Sequence, residues 1–262
     1  MSPRSSRLNR KRPRWPPSSP SHSTTIYDAG NPFYRPSPYS PVISMRRVLA
    51  VVSHPDDETF GCGGALALNA KQGGLSQVVC LTSDPPERSD ELRAACETLG
   101  ISEPVIMGLE KISAEDGVIR QVSDHIALFK PDVVITHIPS DYHRDHRATY
   151  EIVKEAVEWA AHMTTYEEPW LVGRLLLMEV NTLISSPHVL LDVSDVWALK
   201  EAAVENYPTQ LSKFKDGYYQ RFTRAKAELR GVQGGCSYAE AFIEEPLQRN
   251  GPFYETKASK SL

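Results

Sequence analysis

From Arg47 onward the chain alternates between two hydrophobic periods. The run RVLAVVS, residues 47–53, is continuously apolar and rich in branched side chains, as expected of a strand buried on both faces. TFGCGGALALNAKQGG follows, which predicts a helix beginning near Thr59 and ended by Gly73 and Gly74. Strands at SQVVCLT, EPVIMG and PDVVITH then alternate with helices through SDELRAACETLG, closed by Gly100, and GVIRQVSDHIALFK. In the last of these, Val118, Val122, Ile126 and Phe129 recur at helical spacing. DHRATYEIVKEAVEWAAHM predicts a long helix, and RLLLMEV and HVLLDV predict further strands. DVWALKEAAVENY and DGYYQRFTRAKAELRGV read as amphipathic helices that close one side of the molecule. This order predicts an α/β protein: a Rossmann-like, mostly parallel sheet flanked by helices, with any ligand site at the C-terminal ends of the strands. No internal repeat is present.

Composition changes the picture at the ends. The 262 residues suffice for one large domain with a core that needs no covalent staples. The net charge of −4 hides an asymmetry: residues 1–45 hold seven basic residues against Asp28, a net +6, which leaves −10 for the remainder. That first stretch also carries nine of the 20 prolines and ten serines with little apolar periodicity, so residues 1–44 are expected to be a disordered basic leader. It lacks the apolar segment of a secretory signal, and Met45 offers an alternative start. Residues 45–250 are the expected globular domain and 251–262 a tail. An acidic globule argues against nucleic-acid binding, and no apolar run approaches membrane-spanning length. Cys62, Cys80, Cys96 and Cys236 lack metal-finger spacing, which points to a reducing, cytoplasmic setting.

Two strand-end loops concentrate the chemistry: HPDDE after the first strand and THIPSDYHRDH at the end of the fourth. His54 and Asp57 lie three apart around a proline, so both side chains can converge on one point. A histidine from the second loop would complete a His₂Asp set with an open fourth position, the composition of a catalytic zinc site. A bound cation lowers the pKa of its water toward about 7, and Asp56 is left free as general base. Each loop alone has a plainer explanation. Asp56 and Asp57 could simply complement a helix N-terminus, and His143 could face solvent. Both loops at strand ends in the right order favour the metal.

AVVSHPDDETFGCGGALA with HRDHRATYEIV resembles the PIG-L/LmbE-type zinc-dependent N-acetylglucosaminide deacetylases, a family that includes enzymes of glycosylphosphatidylinositol, mycothiol and bacillithiol synthesis and archaeal chitin-disaccharide deacetylases. ERSDELRAACETLG, HVLLDVSDVWALKEAAVENYPTQ and GVQGGCSYAEAF resemble later family segments, so the likeness runs from about Arg46 to Phe242. It implies zinc held by His54, Asp57 and His146, with Asp56 as general base. It makes His143 the group that stabilises the oxyanion or protonates the departing amine, with Asp145 orienting it, and it places Arg88 near a small-molecule N-acetylglucosaminide substrate. Trimers or hexamers are the assemblies it suggests. TSDPPERS replaces the family's glycine-containing TDG, and Thr209-Gln210 replaces its SQ. A metal-dependent amidase on a thiol conjugate or another N-acyl amine is the enzymatic alternative; a non-catalytic protein docking through its leader is the other. Glu58 is expected to start a helix, Asp141 to bond the His143 loop, and His137 to serve as a core or supporting histidine. His125 and His162 are expected on helices and His188 in a structural role, with Tyr238, Glu240 and Phe242 packing the C-terminal closure.

Overall fold

The computed structural model describes residues 46–83 and 85–247, within the compact unit Ile43–Leu262. The expectations for the leader 1–44 and the tail 251–262 lie outside the described residues. Strands β1 (Arg47–Val52), β2 (Leu75–Cys80), β3 (Val105–Ile106), β4 (Val133–His137), β5 (Arg174–Met178), β6 (Val189–Asp192) and β7 (Ala239–Glu245) form one sheet in the order β3-β2-β1-β4-β5-β7-β6. The first five run parallel; β7 is antiparallel to both its neighbours. The helices are α1 (Asp57–Lys71), α2 (Glu87–Leu99), α3 (Asp116–Phe129), α4 (Arg144–Ala160), α5 (Trp197–Val204), the single turn α6 (Pro208–Leu211) and α7 (Tyr218–Gly234).

The two-residue period of β1 divides the core. Leu49 and Val51 pack with Ile119, Val122 and Ile126 of α3 and Ile152 and Val153 of α4. Val48, Ala50 and Val52 face the other way, against Phe60 and Leu66 of α1 and Leu92 and Cys96 of α2. Continuous apolar runs are therefore required of the central strands, which is why they were legible. The four cysteines are unpaired. Among the described residues no helix is long and apolar enough to cross a membrane.

Two elements differ from the sequence expectation. Helix α1 starts at Asp57, two residues before Thr59, and is broken by a non-helical Cys62 (φ −140°). The segment expected only to pack the C-terminal closure is strand β7, inserted between β5 and β6. Its acidic composition hides it, yet Glu240 is buried for a reason. Its carboxylate accepts from the backbone N–H groups of Gly64 (2.7 Å) and Ala65 (2.8 Å), which the break in α1 frees, and from Lys200 Nζ at 2.6 Å. Gly64 must stay bare, because a Cβ there would sit 2.8 Å from both Glu240 Oε1 and Val193 Cγ1.

A second buried cation, Lys226 of α7, donates to the carbonyls of Phe60 (3.1 Å), Glu179 (2.8 Å) and Val180 (3.1 Å). Burial, and next the nearby Lys200, push its amine down to about 7. Arg230 makes a forked pair with Glu179 at 2.9 and 2.6 Å. The helices of the C-terminal third are thus tied to α1 by ionic contacts rather than by apolar packing alone. Removing one partner of a buried pair leaves the other uncompensated. Lys200→Met is therefore expected to lower unfolding stability by about 3 kcal/mol, read as a shift of the denaturant midpoint; an unshifted midpoint would show Glu240 to be satisfied by the α1 amides alone.

Candidate metal centre

β1 and β4 are side-by-side neighbours, with Val48 opposite Val133 and Ala50 opposite Ile135, so the two chemistry-bearing loops leave the sheet together. A bond locks the strand ends. The Ser53 N–H donates to His137 Nε2 at 3.1 Å, and Ser53 Oγ lies 2.8 Å from Thr149 Oγ1 of α4. Past this clasp the chain turns sharply through Pro55 and Asp56 into α1.

Asp57, the first residue of α1, is the hub. Its Oδ2 accepts from the His54 backbone N–H at 2.8 Å and lies 3.2 Å from His54 Nδ1, while Oδ1 is 3.1 Å from His146 Nε2. His137 Nε2 is 3.5 Å from Oδ2. Burial alone would raise the Asp57 pKa; the His146 imidazole leads the groups that overcome it and hold the carboxyl well below its usual range. Reciprocally, burial opposes protonation of His146, but Asp57 and then Asp141 carry it up to about 10. A buried carboxylate here demands a positive partner, and three imidazoles surround it. That donor set fits a divalent cation, which would take the place of the His146 proton. Asp141 Oδ1, 3.3 Å from His146 Nδ1, backs the ring as a second carboxylate and also accepts from the His143 N–H at 2.9 Å.

The nitrogen and oxygen donors form two overlapping triads, each with atoms within 4.8 Å of one another: His54, His143 and His146, and Asp57, His137 and His146. The expected set of His54, Asp57 and His146 straddles them, with Asp57 touching both histidines. His137 is a poorer ligand. Its Nε2 lone pair already accepts the Ser53 N–H, and burial, then the charge of His146, push it down to about 3, so it is a neutral wall of the site.

Asp56 sits in a backbone region unusual for a side-chain-bearing residue, φ 126° and ψ −32°. Such strain costs about 1–3 kcal/mol and persists only where surroundings impose it. Its N–H donates to Glu58 Oε2 at 3.1 Å and its carbonyl accepts from the Phe60 N–H at 3.0 Å. Its carboxylate accepts from Arg88 Nη2 at 2.8 Å, and the same guanidinium grips the Pro55 carbonyl. Burial foremost, then the Asp57 and Glu58 carboxylates, push Asp56 up to about 8, with Arg88 opposing. Glu58, expected at a helix start, is wholly buried: Tyr207 donates its hydroxyl to Oε1 at 2.5 Å, and Thr59 donates to the same oxygen. Tyr207 went unnoticed in the sequence, since a lone tyrosine before Pro208 carries no motif.

His143 caps α4, its Nδ1 accepting from the Asp145 N–H at 3.3 Å. Asp145 Oδ2 is nearer to His54 Nε2 (3.2 Å) than to His143 Nδ1 (3.9 Å), so it braces the His54 ring more directly. Burial, then the charges of His146 and His54, lower the His143 pKa. Arg88 meets Asp56 from α2, and its Nε is buried with no partner among the described residues. The other histidines among the described residues stay apart: His125 bonds Gln77, His188 accepts from the Glu244 N–H, and His162 lies beyond the end of α4 rather than within a helix.

The triads make different predictions for metal content after dialysis. His54→Ala is expected to lose divalent-metal affinity by more than about 100-fold, whereas His137→Ala should lose less than that. The reverse order would move the ion inward, onto Asp57, His137 and His146.

The family model for PIG-L, described as GlcNAc-PI de-N-acetylase, matches residues 49–157, a span that holds both loops. A Bacillus cereus protein named probable N-acetyl-alpha-D-glucosaminyl L-malate deacetylase 2 is 27% identical over 211 residues, covering 72% of this chain and 94% of its own. A 4-oxalmesaconate hydratase of Pseudomonas putida is 25% identical over 220 residues, covering 72% and 81%. Among solved structures, the conserved protein TT1542 from Thermus thermophilus aligns with a TM-score of 0.71 at 26% identity, covering 81% of this chain and 100% of that one. The sheet, both loops and the matched span agree in making the chain similar to PIG-L-type proteins.

Proposed function

We propose that the protein is a zinc-dependent hydrolase that removes the acetyl group from an N-acetylglucosaminyl compound, releasing acetate and a free amine. The observation that carries the reading is Asp57, buried and within 3.2 Å of both His54 and His146, with the Asp56 carboxylate next to it in the chain. The family match and the B. cereus relative support the substrate class. Residues 45–250 would be the catalytic domain. A cytosolic setting, supported by four unpaired cysteines, and a homo-oligomer of three or six subunits belong to the same reading.

His54, Asp57 and His146 would hold the ion, which when bound polarises the amide carbonyl and makes water a better nucleophile at neutral pH. Asp56 takes the proton of the attacking water. The Arg88 guanidinium, 2.8 Å from its carboxylate, orients Asp56 and favours its ionised form, the form a general base needs. His143 was left with two roles by the sequence. Its cap geometry favours one: with Nδ1 accepting from the Asp145 N–H, the neutral ring carries its proton on Nε2, where it can donate to the developing oxyanion. The proton for the departing amine then comes from Asp56, which has just received it, so each turnover leaves both residues as they began. Arg88 acts on substrate through any guanidinium N–H not held by Asp56 and Pro55.

Water addition to an activated double bond is a second reading, favoured by the hydratase relative, because it too needs an activated water and a base. Acetate release separates the two. The panel is N-acetylglucosamine, its malate and inositol glycosides, and diacetylchitobiose, with the zinc-loaded chain. Asp56→Asn is expected to retain zinc and lose about 10²–10⁴-fold in turnover. Unchanged turnover would remove Asp56 from its role, and silence across the panel with zinc bound would overturn the N-acetylglucosaminide reading in favour of another N-acyl amine or of hydration.

A further inference from the structure

Four aromatic side chains crowd the start of α7 and the turn before it. The Phe214 ring lies 4.9 Å from Tyr218 and 5.6 Å from Tyr219, and Tyr218 lies 5.4 Å from Tyr219 and 6.1 Å from Phe222. Phe214 is 52% exposed and Tyr218 48%, so their ring faces stand in water. The turn holds them there through its backbone. Asp216 (φ 60°) and Gly217 (φ 61°) are successive left-handed residues that fold Phe214 back against the first turn of α7. A contiguous group of exposed rings held this way marks a binding surface more often than a loose end.

Tyr219 joins the group to the candidate centre. Its ring stacks on Phe60 of α1 at 5.3 Å with planes 25° apart, and Phe60 is only three residues beyond Asp57. Burial foremost raises the Tyr219 pKa; Asp56 and then Tyr142 add to it while Arg88 opposes, so the phenol lies within electrostatic reach of all three. Tyr142, 70% exposed, stands 6.1 Å from the His143 ring. Ring-to-ring contacts therefore run from buried Phe60, three residues beyond Asp57, through Tyr219 to exposed Phe214.

We propose that Phe214, Tyr218 and Tyr219 form a subsite for a ring-bearing apolar aglycone, seated flat against the exposed rings while the N-acyl group reaches the centre. The inference rests on the deacetylase reading for the identity of the reacting group. Continuity with Phe60 and the centre selects a part of the substrate as occupant over a macromolecular partner. Offset or edge-on contact between rings adds to what apolar burial alone supplies, so an aryl aglycone gains more here than an alkyl one of little area.

The test compares acetate release from 4-methylumbelliferyl and methyl N-acetylglucosaminide by the zinc-loaded full chain. The aryl glycoside is expected to have about tenfold higher kcat/KM, the equivalent of about 1.4 kcal/mol. That preference should fall toward one in the Phe214→Ala/Tyr218→Ala double variant and survive in Tyr218→Phe, which keeps the ring. Parity in the parent chain, or an undiminished preference in the double variant, overturns the subsite. Binding of the umbelliferyl glycoside, followed by fluorescence anisotropy with the methyl glycoside as competitor, separates the two levels of the argument. Aryl-selective binding lost in the double variant, without acetate release from either compound, upholds the subsite while the deacetylase reading falls. Sedimentation completes the set: a parent oligomer dissociated by the double variant makes this face a subunit interface and overturns the proposal.

Discussion

A carboxylate taken out of water must find positive charge, and Asp57 is where this protein meets that requirement. Everything near it follows. The strand-end clasp between Ser53 and His137 sets the loops side by side, His54 and His146 approach the carboxylate from either loop, and Asp141 and Asp145 stand behind those imidazoles. The arrangement is a shell of alternating sign around a single point. Without a divalent cation the positive charge comes from protonated imidazole; with one, the histidines offer lone pairs. The acidic run after β1 is thus a consequence of what it surrounds.

The far side of α1 carries the complementary burden. A helix that begins inside the site gains little apolar anchorage at its first three positions, because Asp57, Glu58 and Thr59 occupy them and Phe60 alone of the first turn joins the core. Anchorage comes instead from Glu58 and Tyr207 near the start, from Glu240 and Lys200 at the break, and from Lys226 gripping the Phe60 carbonyl. These contacts let Asp56 remain in its left-handed backbone. Strain at one residue is maintained by several buried polar links on neighbouring elements, which is how such a conformation outlasts its cost.

The central sheet was legible because β1, the second half of β2 and the first half of β4 are buried on both faces and must be apolar there. That His54, Asp57 and His146 come together was legible because two loops rich in charge and imidazole end adjacent parallel strands, whereas either loop alone had a plainer explanation. What stayed hidden was hidden by polarity. Strand β7 reads AEAFIEE, and its Glu240 looks solvent-facing until the broken helix supplies two amide donors. Glu58 likewise looks like a first-turn acid until Tyr207, 149 residues away, meets it. Pairings across such separations leave no local period to detect. Asp145 shows the same limit at short range: its position was legible, but only the backbone path brings its carboxylate nearer to His54 than to His143.

The break in α1 and the ring-lined mouth lie on different parts of the chain. The candidate metal and base residues come from the loops at β1 and β4, inside residues 49–157, whereas Phe214, Tyr218 and Tyr219 belong to a later segment that meets α1 at the Phe60 ring. Such separation makes the chemistry and the choice of molecule two independently variable traits. A substitution in the turn before α7 can therefore alter the ring surface while the buried charges around Asp57 stay as they are.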